Sequence, residues 1–150
     1  MKWKEPFYVT EKNIKAAIEN YTPSNSRSQL LQKGGNTIIL DAYNANPTSM
    51  KAAIENFAHL HADKKVLMLG GMMELGTESI AEHKNIIDLI KQYTWEKVVL
   101  VGGDFAKVPH DFIFFPNSTA AKEWFVKQGF DKTHVLIKGS RSMQMEKILE

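Results

Sequence analysis

The chain has 150 residues, 43% of them hydrophobic and 24% charged, which suits one domain with a full core and excludes disordered and collagen-like classes. A formal net charge of +2 is too small to point to nucleic acid, and the absence of cysteine excludes disulfides and thiolate metal sites. No apolar run follows the opening Met1 to Pro6, and no stretch approaches the roughly 18 apolar residues of a membrane helix; a soluble, cytoplasmic protein with no signal peptide and no membrane span is expected.

Residues 11–21 read as a short helix, with Thr10 as cap and Ile14, Ala17, Ile18 and Tyr21 at helical spacing. Pro23 ends it, and residues 22–26 form a polar turn or linker. Two short runs, 28–32 and 37–41, flank Gly34-Gly35 and predict an antiparallel hairpin. Strand–helix alternation follows. Asn46-Pro47 opens a helix as cap and first residue, with Met50, Ala53, Ile54, Phe57 and Ala58 as its apolar stripe. A buried strand at 66–69 ends at Gly70-Gly71. The next helix, 79–93, has Ser79 and Glu82 at capping-box spacing and Ile80, His83, Ile87 and Ile90 on one face. Strands at 98–101 and 112–115, a helix over about 118–127 with Trp124 and Phe125 inward, a strand at 135–137 and a short terminal helix complete the chain. Near-continuous apolar strands alternating with amphipathic helices predict an α/β, Rossmann-like, three-layer domain. It has about five parallel strands and one antiparallel strand, with helices on both faces.

Ligands of such sheets bind beyond the carboxyl ends of the strands, so the segments after the strands should converge on one rim. Asp41-Ala42-Tyr43-Asn44-Ala45-Asn46 places an acid, a phenol and two amides before a helix amino terminus, which favours anions. Asn44 either orients a phosphate, ribose or base edge or makes only turn bonds. Asn46 is as readily a plain helix cap as a ligand group. Lys138-Gly139-Ser140-Arg141 puts two cations and a hydroxyl on one loop, suited to carboxylate or phosphate; the alternative is a solvated loop with Ser140 or Ser142 as a cap. Only two of the 19 basic residues are arginines, Arg27 and Arg141, and arginine is the side chain that grips such anions in fixed geometry. His83, on an apolar face, reads as a core histidine, and Met72-Met73 as packing. No dinucleotide fingerprint, phosphate loop or metal-binding spacing is present.

The motifs carry a resemblance. Asp41 to Met50 resembles the D-x-Y-N-A-N-P-x-S-M signature of the UDP-N-acetylmuramoyl-tripeptide–D-alanyl-D-alanine ligases, within the Mur ligase family. Leu69 to Gly76 resembles their L-G-D-M-x-E-L-G segment, and His83 falls where they have a histidine downstream. Lys138 to Met143 resembles K-G-S-R-x-M, and Tyr21 to Gln29 resembles the Y-x-P-x-N-x-R-S-Q stretch that opens their last domain. One departure stands out: Gly71 occupies the usual aspartate position of the second motif.

The resemblance implies that residues 1–26 are a helix and linker leading from a central domain, and 27–150 the C-terminal domain. That domain accepts the dipeptide in an ATP-dependent ligase, which adds D-alanyl-D-alanine to UDP-N-acetylmuramoyl-tripeptide through an acyl phosphate during peptidoglycan precursor synthesis. By match of motif, Arg27, Asp41, Tyr43 and Asn44 are the nucleotide-facing set. Lys138, Ser140, Arg141 and Asn46 are the set facing the incoming dipeptide. ATP and Mg²⁺ would be held mainly by the central domain. The implied partners are the N-terminal and central domains, D-alanyl-D-alanine and the UDP-linked tripeptide. No catalytic residue and no metal ligand is expected in this chain, which is expected to be inactive alone because phosphoryl transfer needs a phosphate loop and Mg²⁺ ligands. The alternatives are a free-standing α/β module for an anionic nucleotide or metabolite, and the same domain of another Mur-type amino-acid ligase.

Overall fold

A computed structural model of the chain describes residues 28–150; the expected helix at 11–21, the linker and Arg27 lie outside them. The chain enters through the expected hairpin. Strands β1 (Gln29–Lys33) and β2 (Asn36–Asp41) pair antiparallel. They turn on Gly34 and Gly35, whose φ angles of +58° and +84° give the twist that a two-residue hairpin turn requires.

Four further strands join in parallel: β3 (Lys65–Gly70), β4 (Lys97–Val101), β5 (Ile113–Phe115) and β6 (His134–Lys138). The sheet runs β1-β2-β6-β3-β4-β5, so the last strand lies inside the sheet, paired with β2 on one side and β3 on the other. The expected five parallel strands and single antiparallel strand are present. Side chains alternate between two cores, as the two-residue period of a strand dictates. Ile39, Leu67, Leu69, Leu100 and Leu136 face one core, where helices α1 (Pro47–Ala58) and α2 (Ser79–Ile90) pack. Ile38, Leu40, Val66, Met68, Val99, Val101, Val135 and Ile137 face the other, covered by helix α3 (Ser118–Gln128) and the terminal turn Met145–Leu149.

Local chemistry sets the helix ends. Asn46 accepts from the Ser49 amide at 2.8 Å and the Ser49 hydroxyl accepts from the Asn46 amide at 3.0 Å, a reciprocal cap that satisfies two orphan donors. Asn117 caps α3 through the Ala120 amide at 2.9 Å. At the far end of α1 the Lys65 ammonium donates to the carbonyls of Ala58 (2.6 Å) and Leu60 (3.1 Å).

Four expectations fail in α2 and the tail. The Ser79–Glu82 capping box does not form: a 3₁₀ turn over Gly76–Glu78 runs straight into the helix, Glu78 is the cap residue without a side-chain cap bond, and Glu82 accepts from Asn85 instead. Ile80 is 49% exposed, because the buried face is made by His83, Ile86, Ile87, Leu89 and Ile90. Helix α2 stops at Ile90 rather than Tyr93, and the terminal segment consists of two 3₁₀ turns, Arg141–Met143 and Met145–Leu149.

Candidate functional site

Four segments leave the carboxyl ends of adjacent strands β2, β6, β3 and β4, and main-chain hydrogen bonds stitch them together beyond the sheet. The Gly139 amide donates to the Asp41 carbonyl (3.3 Å), Ser140 to Gly71 (3.4 Å), and Gly71 to Val101 (3.0 Å). The convergence expected from topology is therefore physical contact.

Asp41 and Lys138 are opposite residues at the ends of β2 and β6. Neither reaches solvent freely: Asp41 is 9% exposed and Lys138 2%. The Lys138 ammonium donates to Asp41 Oδ2 at 2.8 Å and to the Asn44 carbonyl at 3.1 Å. The Ser28 hydroxyl donates to the same carboxylate oxygen at 3.1 Å, while Oδ1 is buried with no hydrogen-bond partner among the described residues. A charge removed from water is tolerated only when paired and hydrogen-bonded, which accounts for the closeness of this arrangement.

Beside the buried pair stand side chains open to solvent. Asn44 and Arg141 are exposed, and Tyr43 is 39% exposed. The Arg141 guanidinium sits 5.3 Å from the centre of the Tyr43 ring, within cation–π range, so the two loops also meet at their tips. Ser140 is 7% exposed and its hydroxyl lies 3.3 Å from that of Ser142. Asn46 is occupied as the cap of α1. The structure thus brings together Asp41, Tyr43, Asn44, Lys138, Ser140 and Arg141, with Asn46 at the adjoining helix end.

The third and fourth loops are fixed from behind. His83 is fully buried; its Nε2 accepts from the Met72 amide at 3.0 Å and its Nδ1 lies 2.7 Å from the Ser79 carbonyl. These partners assign the proton to Nδ1, and the ring stands edge-on to Phe105 at 4.6 Å. It is a core histidine, as read from its helical face. Met72 is buried in the core, whereas Met73 is 45% exposed. Asp104, after β4, is held below the usual carboxylate range, first by a hydrogen bond from Ser79 and then by Lys107, against some desolvation. Gly71 has a steric reason to be glycine: a Cβ there would lie 2.8 Å from Gly103 Cα and 3.3 Å from the Gly102 carbonyl oxygen.

Sequence reasoning missed the roles of Ser28 and of the Gly71–Gly103 contact. The available signals were a charged residue closing each of two apolar strands, and a Gly-Gly pair closing each of two others. Among the described residues there is no group of three or more His, Cys, Asp or Glu able to hold a metal, and no helix long and apolar enough to cross a membrane.

A family profile described as "Mur ligase, glutamate ligase domain" matches residues 26–141. The chain is 29% identical over 149 residues to UDP-N-acetylmuramoyl-tripeptide–D-alanyl-D-alanine ligase of Borreliella burgdorferi, covering 94% of this chain and 32% of that protein. It is 33% identical over 137 residues to the Rickettsia prowazekii protein of the same name, covering 85% and 30%. Among solved structures, MurF from Acinetobacter baumannii superposes with a TM-score of 0.72 at 27% identity, over 95% of this chain and 33% of the other. MurF ligase from Thermotoga maritima, crystallised with ADP, superposes with a TM-score of 0.71 at 23% identity, over 85% and 30%. The chain spans about a third of the length of these relatives.

Proposed function

The chain belongs to the Mur ligase family, as its C-terminal domain, and we propose that it is the dipeptide-accepting domain of a ligase that adds D-alanyl-D-alanine to UDP-N-acetylmuramoyl-tripeptide. In such a ligase ATP with Mg²⁺, held mainly by the central domain, would pass its γ-phosphoryl group to the tripeptide carboxylate with release of ADP, and the dipeptide amine would then attack the acyl phosphate and displace inorganic phosphate. The observation that carries this role is the single stitched rim on which the motif residues meet. On it Asn44, Tyr43 and Arg141 are exposed while Asp41 and Lys138 neutralise each other below.

The exposed groups fit part of a nucleotide and of a dipeptide. Tyr43 offers a ring face, Asn44 an amide that both donates and accepts, and Arg141 a planar fork matched to carboxylate or phosphoryl oxygen. Arg27 falls in the Tyr21 to Gln29 motif and completes the proposed nucleotide-facing set with Asp41, Tyr43 and Asn44. Ser140 and Asn46 stand with Arg141 on the side proposed for the dipeptide, with the buried Lys138 beneath them. The sequence holds no phosphate loop, so on this reading the domain orients reactants and excludes water from one side. On this reading the protein works in the cytoplasm, where ATP and UDP-linked precursors are found, with the N-terminal and central domains as its partners.

The test is a titration of the ¹⁵N-labelled 150-residue chain with ADP and, separately, D-alanyl-D-alanine. Shifts confined to 41–46 for ADP and 139–142 for the dipeptide are expected, with Arg141→Ala abolishing the second set. Saturable shifts centred elsewhere, or none at millimolar ligand, would overturn the assignment.

A further inference from the structure

We propose that Lys138 is a positioning residue: its ammonium clamps the loop after β2 to the end of β6 and does not itself meet ligand. What the two loops bind rests on the function proposed above; the clamp does not.

The geometry leaves the ammonium little else to do. At 2% exposure it lies beneath the rim, with two of its three N–H donors given to Asp41 (2.8 Å) and to the Asn44 carbonyl (3.1 Å). The strand ladder already sets Asp41 opposite Lys138, and the ammonium ties the loop after β2 to that pair through the Asn44 carbonyl. Asp41 ends β2, Asn44 lies three residues into the loop, and Lys138 ends β6. The Asn44 main chain is the held part, which leaves its amide side chain projecting from a fixed point. From Lys138 the chain continues through Gly139 and Ser140 to Arg141. One buried ammonium therefore helps to set the separation between the Asn44 amide and the Arg141 guanidinium, two of the exposed groups of the rim.

Stability alone does not explain such a pair, because well-packed apolar residues commonly replace a buried ion pair without loss. An apolar pair would fill the space, but it could not hold a carbonyl oxygen. The Asn44 carbonyl is the contact that turns a core feature into a device of the site.

The experiment compares the wild-type chain with Lys138→Met and with Asp41→Leu/Lys138→Met, the second pairing the apolar change on both sides. Melting temperature, ¹⁵N relaxation of Asn44 and Ala45, and ADP and D-alanyl-D-alanine titrations are read for each. The Lys138 ammonium resonance is followed in the wild type. The clamp predicts that both variants show faster motion at Asn44 and Ala45 without ligand and at least tenfold weaker binding of both ligands. It also predicts that the double variant regains most of the melting temperature without regaining the affinities. In the wild type, the Lys138 resonance should stay nearly in place as Asn44 and Arg141 shift. Recovery of affinity along with stability in the double variant would make Lys138 merely structural. A Lys138 resonance that moves with ligand saturation would make it a direct contact. Either result overturns the proposal. If neither ligand binds the wild type, the proposed function fails; the clamp then stands or falls on whether loss of the ammonium loosens Asn44.

Discussion

Replacing Gly71 by alanine should cost stability and distort the rim, through contacts that can be counted. The added Cβ would lie 2.8 Å from Gly103 Cα and 3.3 Å from Gly103 N and the Gly102 carbonyl oxygen. Ordinary carbon–carbon contact is about 3.5–4.0 Å, so two backbone segments must part by on the order of 1 Å. All three atoms are main chain, and no rotamer change can relieve them. Overpacking of this kind costs about 1–3 kcal/mol, which lowers the melting temperature by on the order of 5 °C in a domain of this size. The displacement also propagates, since Gly71 donates to Val101 and accepts from Ser140, one residue before Arg141. Aspartate, the residue of the related motif, adds a buried carboxylate to the same clash and should cost more than alanine. Thermal melts by circular dichroism, with amide shifts of Ser140 and Arg141, provide the assay. A Gly71→Ala variant that melts within 1 °C of its parent, with unmoved Ser140 and Arg141 signals, would refute the contact.

Three further outcomes are expected. The His134 imidazole is pushed down to about 4, by burial first and then by Lys65, against a weaker opposing pull from Asp63. The native protein therefore resists protonation there while the unfolded chain takes up a proton below about 6.5. Stability should be full above pH 6.5 and fall as pH drops from 6.5 to 4, by on the order of 3 kcal/mol; urea melts of His134→Gln should show a flatter profile in that window. Lys138→Met leaves Asp41 buried without its cation and should cost about 3–5 kcal/mol, most of it recovered when Asp41→Leu is added, as read from denaturant midpoints. Asn46→Ala removes the cap of α1 and should cost about 1 kcal/mol, while Asn46→Ser should retain most of the helix stability.

Much of this architecture could be read before any coordinate. Strands such as Val66–Leu69 and Val135–Ile137 are continuous apolar runs because helices cover both sides of the sheet, and that burial is what composition records. The rim was legible for a related reason: in a parallel sheet, segments following the strands share one edge. What escaped depends on partners far along the chain. The Asp41–Lys138 bond joins residues 97 apart, and only the strand order, with β6 inserted beside β2, brings them face to face. Ser79 fits a capping pattern, yet its hydroxyl helps to hold the Asp104 carboxyl low, an influence that no local spacing encodes. Ile80 continues the helical stripe by spacing, but it lies in the first turn of α2 and is exposed, the buried face starting at His83.

The position of β6 gives this domain a particular order of assembly. Strands β2 and β3 do not pair with each other; β6 lies between them and pairs with both. A growing or truncated chain that stops before His134 can form one hairpin and one three-stranded piece, each with an open edge where β6 belongs. Such unpaired edges invite association between chains, and the gap closes only after a long loop has paid its entropy. The strand that closes it also delivers Lys138 and, just beyond, Arg141. Assembly of the sheet and assembly of the rim are thus one late event, and a chain that presents these two residues in place has already made its central strand pairings.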